Sequence, residues 1–231
     1  MIGVVIPVHN EEKSLAACLE AAQVAAKAPG LQGEAVRIVV VLDGCTDRSA
    51  DVAARFEVDV LCVAGRSVGH ARAAGAAWLI ERNARWLAFS DGDSVVDAGW
   101  LVAQLRLDAE VVCGTVEVMD WGTIPPHVQL RYRMHYRDHE GHRHIHGANL
   151  GLCAKAYVRA GGFRNLRCNE DVELVHALLA TGSRVSWSAA PRVRTSGRLV
   201  GRLSGGFADH LSSLNALLLP SLPGDRDACA R

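Results

Sequence analysis

A chain of 231 residues and 24.7 kDa is long enough to bury a core, and at roughly 150 residues per domain it fits one large domain or two intimate halves. Hydrophobic residues make up 49% and charged residues 22%, which excludes a collagen, a disordered tail and a disulfide miniprotein. Lys plus Arg number 25, as do Asp plus Glu, so bulk charge gives no reason to expect a nucleic-acid partner.

The first half alternates short apolar runs with helical patterns. Ile2–Val8 is a continuous apolar run, as in a strand buried on both faces. Residues 10–12 begin a predicted helix, with Leu15, Cys18, Leu19 and Ala22 on one face. Strands are expected at 36–42, 58–63, 86–90 and 111–118, and helices at 47–56, 69–82 and 97–107. This order implies an α/β fold with a mainly parallel sheet flanked by helices. The second half changes character near residue 120, where Arg, Tyr, Trp and His accumulate and Pro125-Pro126 interrupts the pattern. A turn is expected at Gly161-Gly162-Phe163, a helix at 170–181, a strand at 184–188 and a last amphipathic helix at 206–219. No stretch approaches the roughly 20 apolar residues needed to cross a bilayer. Residues 1–8 lack a basic segment and a cleavage site, so no signal peptide is expected. Seven cysteines without a CxxC pair read as reduced thiols in a cytoplasmic protein.

Ligands of such sheets bind outside the carboxyl ends of the strands. Three polar segments fall there. They are His9-Asn10-Glu11-Glu12, Asp43-Gly44-Cys45-Thr46-Asp47 and Ser90-Asp91-Gly92-Asp93. Asp91 and Asp93 flank a glycine and offer hard oxygen ligands suited to Mg²⁺ or Mn²⁺, although Asp-Gly is also a common turn signal. Asp43 at a strand end can accept hydrogen bonds from a base or ribose. Glu170 and Asp171 open a helix, where a first-turn carboxylate is favoured by the helix dipole and can also serve as a general base.

Taken in order, these segments resemble a family. Val5-Ile6-Pro7-Val8-His9-Asn10-Glu11-Glu12 is followed by Val41-Leu42-Asp43-Gly44-Cys45-Thr46-Asp47, then Gly69-His70-Ala71-Arg72-Ala73-Ala74-Gly75 and Phe89-Ser90-Asp91-Gly92-Asp93. Gly147-Ala148-Asn149, Gly161-Gly162-Phe163 and Glu170-Asp171-Val172-Glu173-Leu174 complete the set. The chain resembles glycosyltransferase family 2 to about residue 180. The resemblance implies the Rossmann-like GT-A fold, with a nucleotide-sugar-binding half at 1–120 and an acceptor-binding, catalytic-base half at 121–231. It implies that Pro7, Val8, Glu11, Asp43, Arg72 and Asp91 hold the nucleotide. Asp91 and Asp93 would hold the metal and diphosphate, and the Glu170-Asp171 pair would supply the catalytic base, Asp171 foremost.

Several features depart from the family pattern. Leu42 and Cys45 stand where Asp and Ser are usual, His176 stands where Arg is common, and no Gln-x-x-Arg-Trp follows. Arg198 and Arg202, four residues apart, are candidates to clamp a diphosphate or to form a solvated basic face. His135, His139, His142, His144 and His146 are spaced as zinc ligands can be, but no HExxH and no nearby cysteine accompany them. Polar lining of an acceptor loop or simple exposure fits them better. His146 and Asn149 are the candidates to face the cleft, and His210 is a speculative third metal ligand.

The expectation is therefore an inverting glycosyltransferase, dependent on Mn²⁺ or Mg²⁺, that uses a UDP-sugar and an unidentified acceptor hydroxyl. A non-catalytic sugar-nucleotide-binding protein on the same fold is the alternative, and a zinc hydrolase built on residues 135–146 is a third reading. The apolar residues of 206–219 leave a homodimer contact or a peripheral membrane contact open.

Overall fold

In the computed structural model, which describes residues 1–122, 124–166 and 168–196, the apolar run Ile2–Val8 is strand β1, buried at every position. The other strands are β2 (Val36–Asp43), β3 (Asp59–Val63), β4 (Trp86–Phe89), β5 (Ser94–Val96), β6 (Val111–Asp120), β7 (Leu150–Cys153) and β8 (Val185–Ser196). The helices are α1 (Leu15–Ala26), α2 (Ser49–Ala53), α3 (Val68–Ile80), α4 (Trp100–Arg106), α5 (Pro126–His135), α6 (Ala154–Arg159) and α7 (Glu170–Ala180). One sheet runs in the order β3-β2-β1-β4-β7-β6-β8-β5. β1 pairs in parallel with β2 and β4, β2 with β3, and β6 with β8. β7 is antiparallel to β4 and β6, and β5 is antiparallel to β8.

The side-chain period of two sorts the central strands into two cores. Val4, Ile6 and Val8 of β1, with Val40 and Leu42 of β2, join Leu15 and Leu19 of α1 and Trp100 of α4. Val5, Val39 and Val41 face the other way, toward Leu79 of α3, Tyr157 of α6 and Leu174 and Leu178 of α7. Each such side chain contributes about 1.5–3 kcal/mol when fully buried, so the central strands anchor the fold. A smaller cluster of Val118, Ile124, Val128 and Tyr132 seats α5 on the end of β6.

The expected mainly parallel sheet is present, and its elements refine the sequence reading. The first helix begins at Leu15, not at 10–12, because Asn10 takes a left-handed φ of 58° and the Glu11 carbonyl accepts from the Ser14 and Leu15 amides. The helix expected at 47–56 is a single short turn, α2. The strand expected at 184–188 continues to Ser196 past an irregularity, where Gly114 pairs with Ser188 but Thr115 pairs with Arg192. β5, β7, α5 and α6 have no counterpart among the expected elements. Residue 120 marks no break in the sheet, since β4 pairs with β7 and β5 with β8 across it. The helix expected at 206–219, together with Arg198, Arg202 and His210, lies outside the described residues. No helix among the described residues is long and apolar enough to cross a membrane.

Candidate active site

The carboxyl ends of β1, β2 and β4 bring the first three polar segments together. After β4, the turn Asp91-Gly92-Asp93 lies against the end of β1. A Cβ on Gly92 would stand 3.0 Å from Val8 Cγ2, 3.2 Å from Glu11 Cγ and 3.4 Å from the Pro7 carbonyl oxygen, so a side chain there would press on the end of β1. Pro7 and Val8 thus form the buried floor of the turn. Glu11 is buried too, accepting from Ser14 Oγ at 2.8 Å while its amide donates to Ser49 Oγ at 2.8 Å. Asn10 ties this loop to the next, its Oδ1 accepting from the Thr46 and Asp47 amides at 2.7 and 3.2 Å.

Asp43 was expected to meet a base or ribose. Its buried carboxylate accepts from the Arg66 amide at 2.8 Å and the Ser67 amide at 2.7 Å. Both oxygens therefore hold the loop that enters α3, where Ser67 caps the helix by accepting from the His70 amide. Ser67 escaped the sequence reading, although a serine just before a helical pattern is a recognisable N-cap signal.

Arg72 of α3 sits at the centre of the site. Its Nη2 donates to Asp91 Oδ1 at 2.5 Å and its Nη1 donates to Glu170 Oε1. The guanidinium is 3% exposed and lies 5.8 Å from the Phe163 ring, while its Nε has no hydrogen-bond partner among the described residues. Arg72 was expected to lie beside the nucleotide. Its burial makes it a bridge between Asp91 and Glu170. Burial opposes its charge, but Asp91, Glu170 and Asp171 outweigh that and raise its pKa above the usual value. Glu170 is 5% exposed, and burial raises its pKa against the pull of Arg72, with Asp171 adding to the rise. One cation faces three carboxylates, so this centre carries surplus negative charge.

Asp171 follows Glu170 in the first turn of α7 and is only half-buried. Its Oδ2 accepts from the Gly147 amide at 2.7 Å and its Oδ1 from the Val172 amide at 2.9 Å. Gly147 lies directly over Arg72, where any Cβ would strike the guanidinium. The amide of Gly147 therefore orients Asp171 while its missing side chain makes room for Arg72. A backbone donor leaves no signature in sequence, so this contact was not foreseen.

Asn149, expected to contact a ligand, is wholly buried. Its Oδ1 accepts from Trp100 Nε1 at 2.9 Å, and its Nδ2 donates to the Thr115 and Pro191 carbonyls at 2.7 and 2.9 Å. It closes the irregularity between β6 and β8. His146, just before Gly147, is half-buried and hydrogen-bonded through Nε2 to the Tyr136 hydroxyl at 3.1 Å.

The histidine cluster is a stack of rings bonded to its own neighbours. The rings of His142, His144 and His146 stack at 5.5 and 5.8 Å, and Tyr136 stacks on His144 at 4.2 Å. His144 Nε2 accepts from the Arg137 amide, and His142 Nδ1 accepts from the His144 amide. Burial, then the neighbouring His142, lowers the pKa of His144. Among the described residues no three His, Cys, Asp or Glu side chains group to hold a metal. His142 and His144 thus each turn one ring nitrogen to a backbone amide, and His146 turns its Nε2 to the Tyr136 hydroxyl.

Asp91 and Asp93 fit a different cation. Both are part-exposed at the turn, and Cys18 beneath them donates to the Asp91 carbonyl at 3.3 Å. Burial, then Asp93 and Asp91, drive the Cys18 thiol pKa far up, so it remains a neutral filler. A pair of hard carboxylate donors in a negatively charged centre suits Mg²⁺ or Mn²⁺, whose remaining ligands are phosphate and water.

The family model for Glycosyl transferase family 2 matches residues 3–164. No curated protein matches the chain. Among solved structures, TarS from S. aureus shares 14% identity at a TM-score of 0.64, covering 84% of this chain and 36% of that one. TarS 1–349 in complex with UDP-GlcNAc shares 15% identity at a TM-score of 0.64, covering 94% of this chain and 64% of that one. The mannosyltransferase PcManGT from Pyrobaculum calidifontis, in complex with GDP-Man and Mn²⁺, shares 15% identity at a TM-score of 0.64 and covers 87% of this chain and 57% of that one. The chain spans less than two thirds of the length of each of these proteins.

Proposed function

The chain belongs to glycosyl transferase family 2, and from that premise we propose that it moves a sugar from a nucleoside-diphosphate donor, preferably a UDP-sugar, to an acceptor hydroxyl with inversion. The observation that carries this reading is the meeting of both sequence halves at one guanidinium. Arg72 joins Asp91 of the donor-side turn to Glu170, and Glu170 adjoins Asp171.

In this reading residues 1–120 bind the donor and residues 121–231 supply the acceptor side and the base. Asp171 takes the proton from the acceptor hydroxyl. The acceptor oxygen attacks the anomeric carbon as the bond from that carbon to the diphosphate oxygen breaks. The bonding pair leaves with the nucleoside diphosphate, and configuration inverts. The Gly147 and Val172 amides hold the Asp171 carboxylate at a fixed angle, which favours an aligned encounter. Glu170 is a positioning residue for Arg72, and Arg72 in turn fixes Asp91. Asp91 and Asp93 would hold Mn²⁺ or Mg²⁺, which when bound neutralises charge on the diphosphate. The UDP-GlcNAc bound by TarS 1–349 and the GDP-Man and Mn²⁺ bound by PcManGT support this reading.

The test is a thermal-shift and calorimetry panel of UDP, GDP, CDP and dTDP with and without Mn²⁺. A ligand of the folded state raises the melting temperature by mass action, so no acceptor is required. The proposal expects one nucleotide to stabilise the chain only with metal and to lose that effect in Asp93→Ala. No response to any nucleotide refutes the donor assignment. Binding without transfer to any acceptor or water would favour a sugar-nucleotide-binding protein.

A further inference from the structure

Helix α5 carries apolar residues on two opposite faces. Val128 and Tyr132 point into the small cluster at the end of β6. Leu130 and Met134 are each two residues further on, about 200° around the helix from those anchors. They are 61% and 74% exposed, the two most exposed large hydrophobic side chains among the described residues. At a spacing of four they stand side by side on the outer face.

Between Asp120 and Asp138 the charge along the sequence is of one sign. From Trp121 to Arg137 the sequence holds Arg131, Arg133 and Arg137, with His127 and His135, and no Asp or Glu. Arg133 and Arg137 are exposed. Arg131 Nη1 is buried without a hydrogen-bond partner among the described residues. The next acid, Asp138, is committed to Arg192 at 2.5 Å and Thr115 Oγ1 at 2.9 Å. A neutral chain thus concentrates positive charge around two exposed apolar side chains.

We propose that the outer face of α5 docks on an anionic lipid surface, with Leu130 and Met134 entering the headgroup boundary and Arg133 and Arg137 meeting acidic headgroups. Charge complementarity selects this occupant: a basic rim around an apolar centre matches an anionic bilayer. The helix offers two apolar side chains, which makes the attachment weak and reversible. Its inner face connects to the site by rings, since Tyr132 stacks on Tyr136, Tyr136 on His144, and His144 on His146 beside Gly147. The proposal does not depend on the donor or the metal.

The test is co-sedimentation of the full chain with phosphatidylcholine vesicles, with or without about one third phosphatidylglycerol. The wild-type chain should pellet with the anionic vesicles, stay in solution with neutral ones, and be released at high salt. Leu130→Ser with Met134→Ser should weaken pelleting about tenfold, and Arg133→Glu with Arg137→Glu should remove the preference for anionic lipid, each residue counting about fivefold near the surface. All four side chains are exposed, so unchanged melting temperatures would show that the variants fold. Undiminished pelleting by the apolar variant overturns the proposal, because another part of the chain is then the anchor. Absence of vesicle binding, with self-association in sedimentation velocity that the same substitutions abolish, assigns the face to a second copy of the chain and also overturns it.

Discussion

Replacing Arg72 by methionine removes the cation held among Asp91, Glu170 and Asp171 while filling much of the same volume. Glu170 then has no guanidinium partner, and its buried carboxyl must take up a proton. Keeping a glutamate of ordinary pKa protonated costs at most about 3.7 kcal/mol at pH 7 and about 1 kcal/mol at pH 5. The sign follows from the raised pKa of Glu170 in the folded chain. Stability from such a group is present below its unfolded pKa and is lost as pH rises through the folded value. Removing Arg72 raises that folded value further, so the variant's deficit must widen with pH. For a chain of this size each kcal/mol moves the melting midpoint by about 2–4 °C. The variant should therefore melt about 7–15 °C below wild type at pH 7 and about 2–4 °C below it at pH 5, these being upper bounds. Differential scanning calorimetry of both proteins across this range reads the difference. A deficit that is equal at the two pH values, or absent at both, would refute the assignment of Arg72 as the bridge that keeps Glu170 charged.

Asp171→Asn should retain nucleotide binding and lose transfer, and it should lose only about 1 kcal/mol of stability, because asparagine keeps one accepting oxygen where two backbone amides donate. Normal turnover in this variant would remove Asp171 from the mechanism. Gly147→Ala places a Cβ on the Arg72 guanidinium, so activity and melting temperature should fall together; an unperturbed melting curve would contradict the packing described. Asn149→Ala leaves the Trp100 indole N–H and two strand carbonyls without their partner, and urea denaturation should show a loss of about 3 kcal/mol or more. Removing metal with EDTA should abolish nucleotide-induced stabilisation in wild type and change nothing in Asp93→Ala.

β1 was legible to the residue, and β2 nearly so, because burial on both faces leaves an uninterrupted apolar run. β5 is three residues long and β7 four, too short for a period of two to register. α5 escaped because its apolar residues fall on two opposite faces amid Arg and His, which erases the single stripe that marks a helix. At the site, motif order identified the residues that converge, since Asp91, Arg72 and Glu170 do touch. It could not reveal which backbone groups these side chains meet. Asp43 answers to the Arg66 and Ser67 amides, and Asn149 to two strand carbonyls, and backbone groups carry no residue identity. The burial of Arg72 was not legible because its partner Glu170 is 98 positions away in sequence.

The pairing of β5 with β8 fixes the order in which the site can be completed during synthesis. Asp93 leads directly into β5, and Ser94 Oγ meets Thr195 Oγ1 at 2.9 Å across 101 positions of sequence. β1 to β4 can pair as soon as they leave the ribosome, whereas β5 has no neighbouring strand until β8 arrives. The nascent chain therefore carries a nearly finished parallel sheet whose acidic turn is tethered at one end only. Closing a loop of this length is a slow, late event compared with the local contacts that precede it. A ribosome stalled before residue 185 would present Asp93 beside a β5 segment that has no strand to pair with.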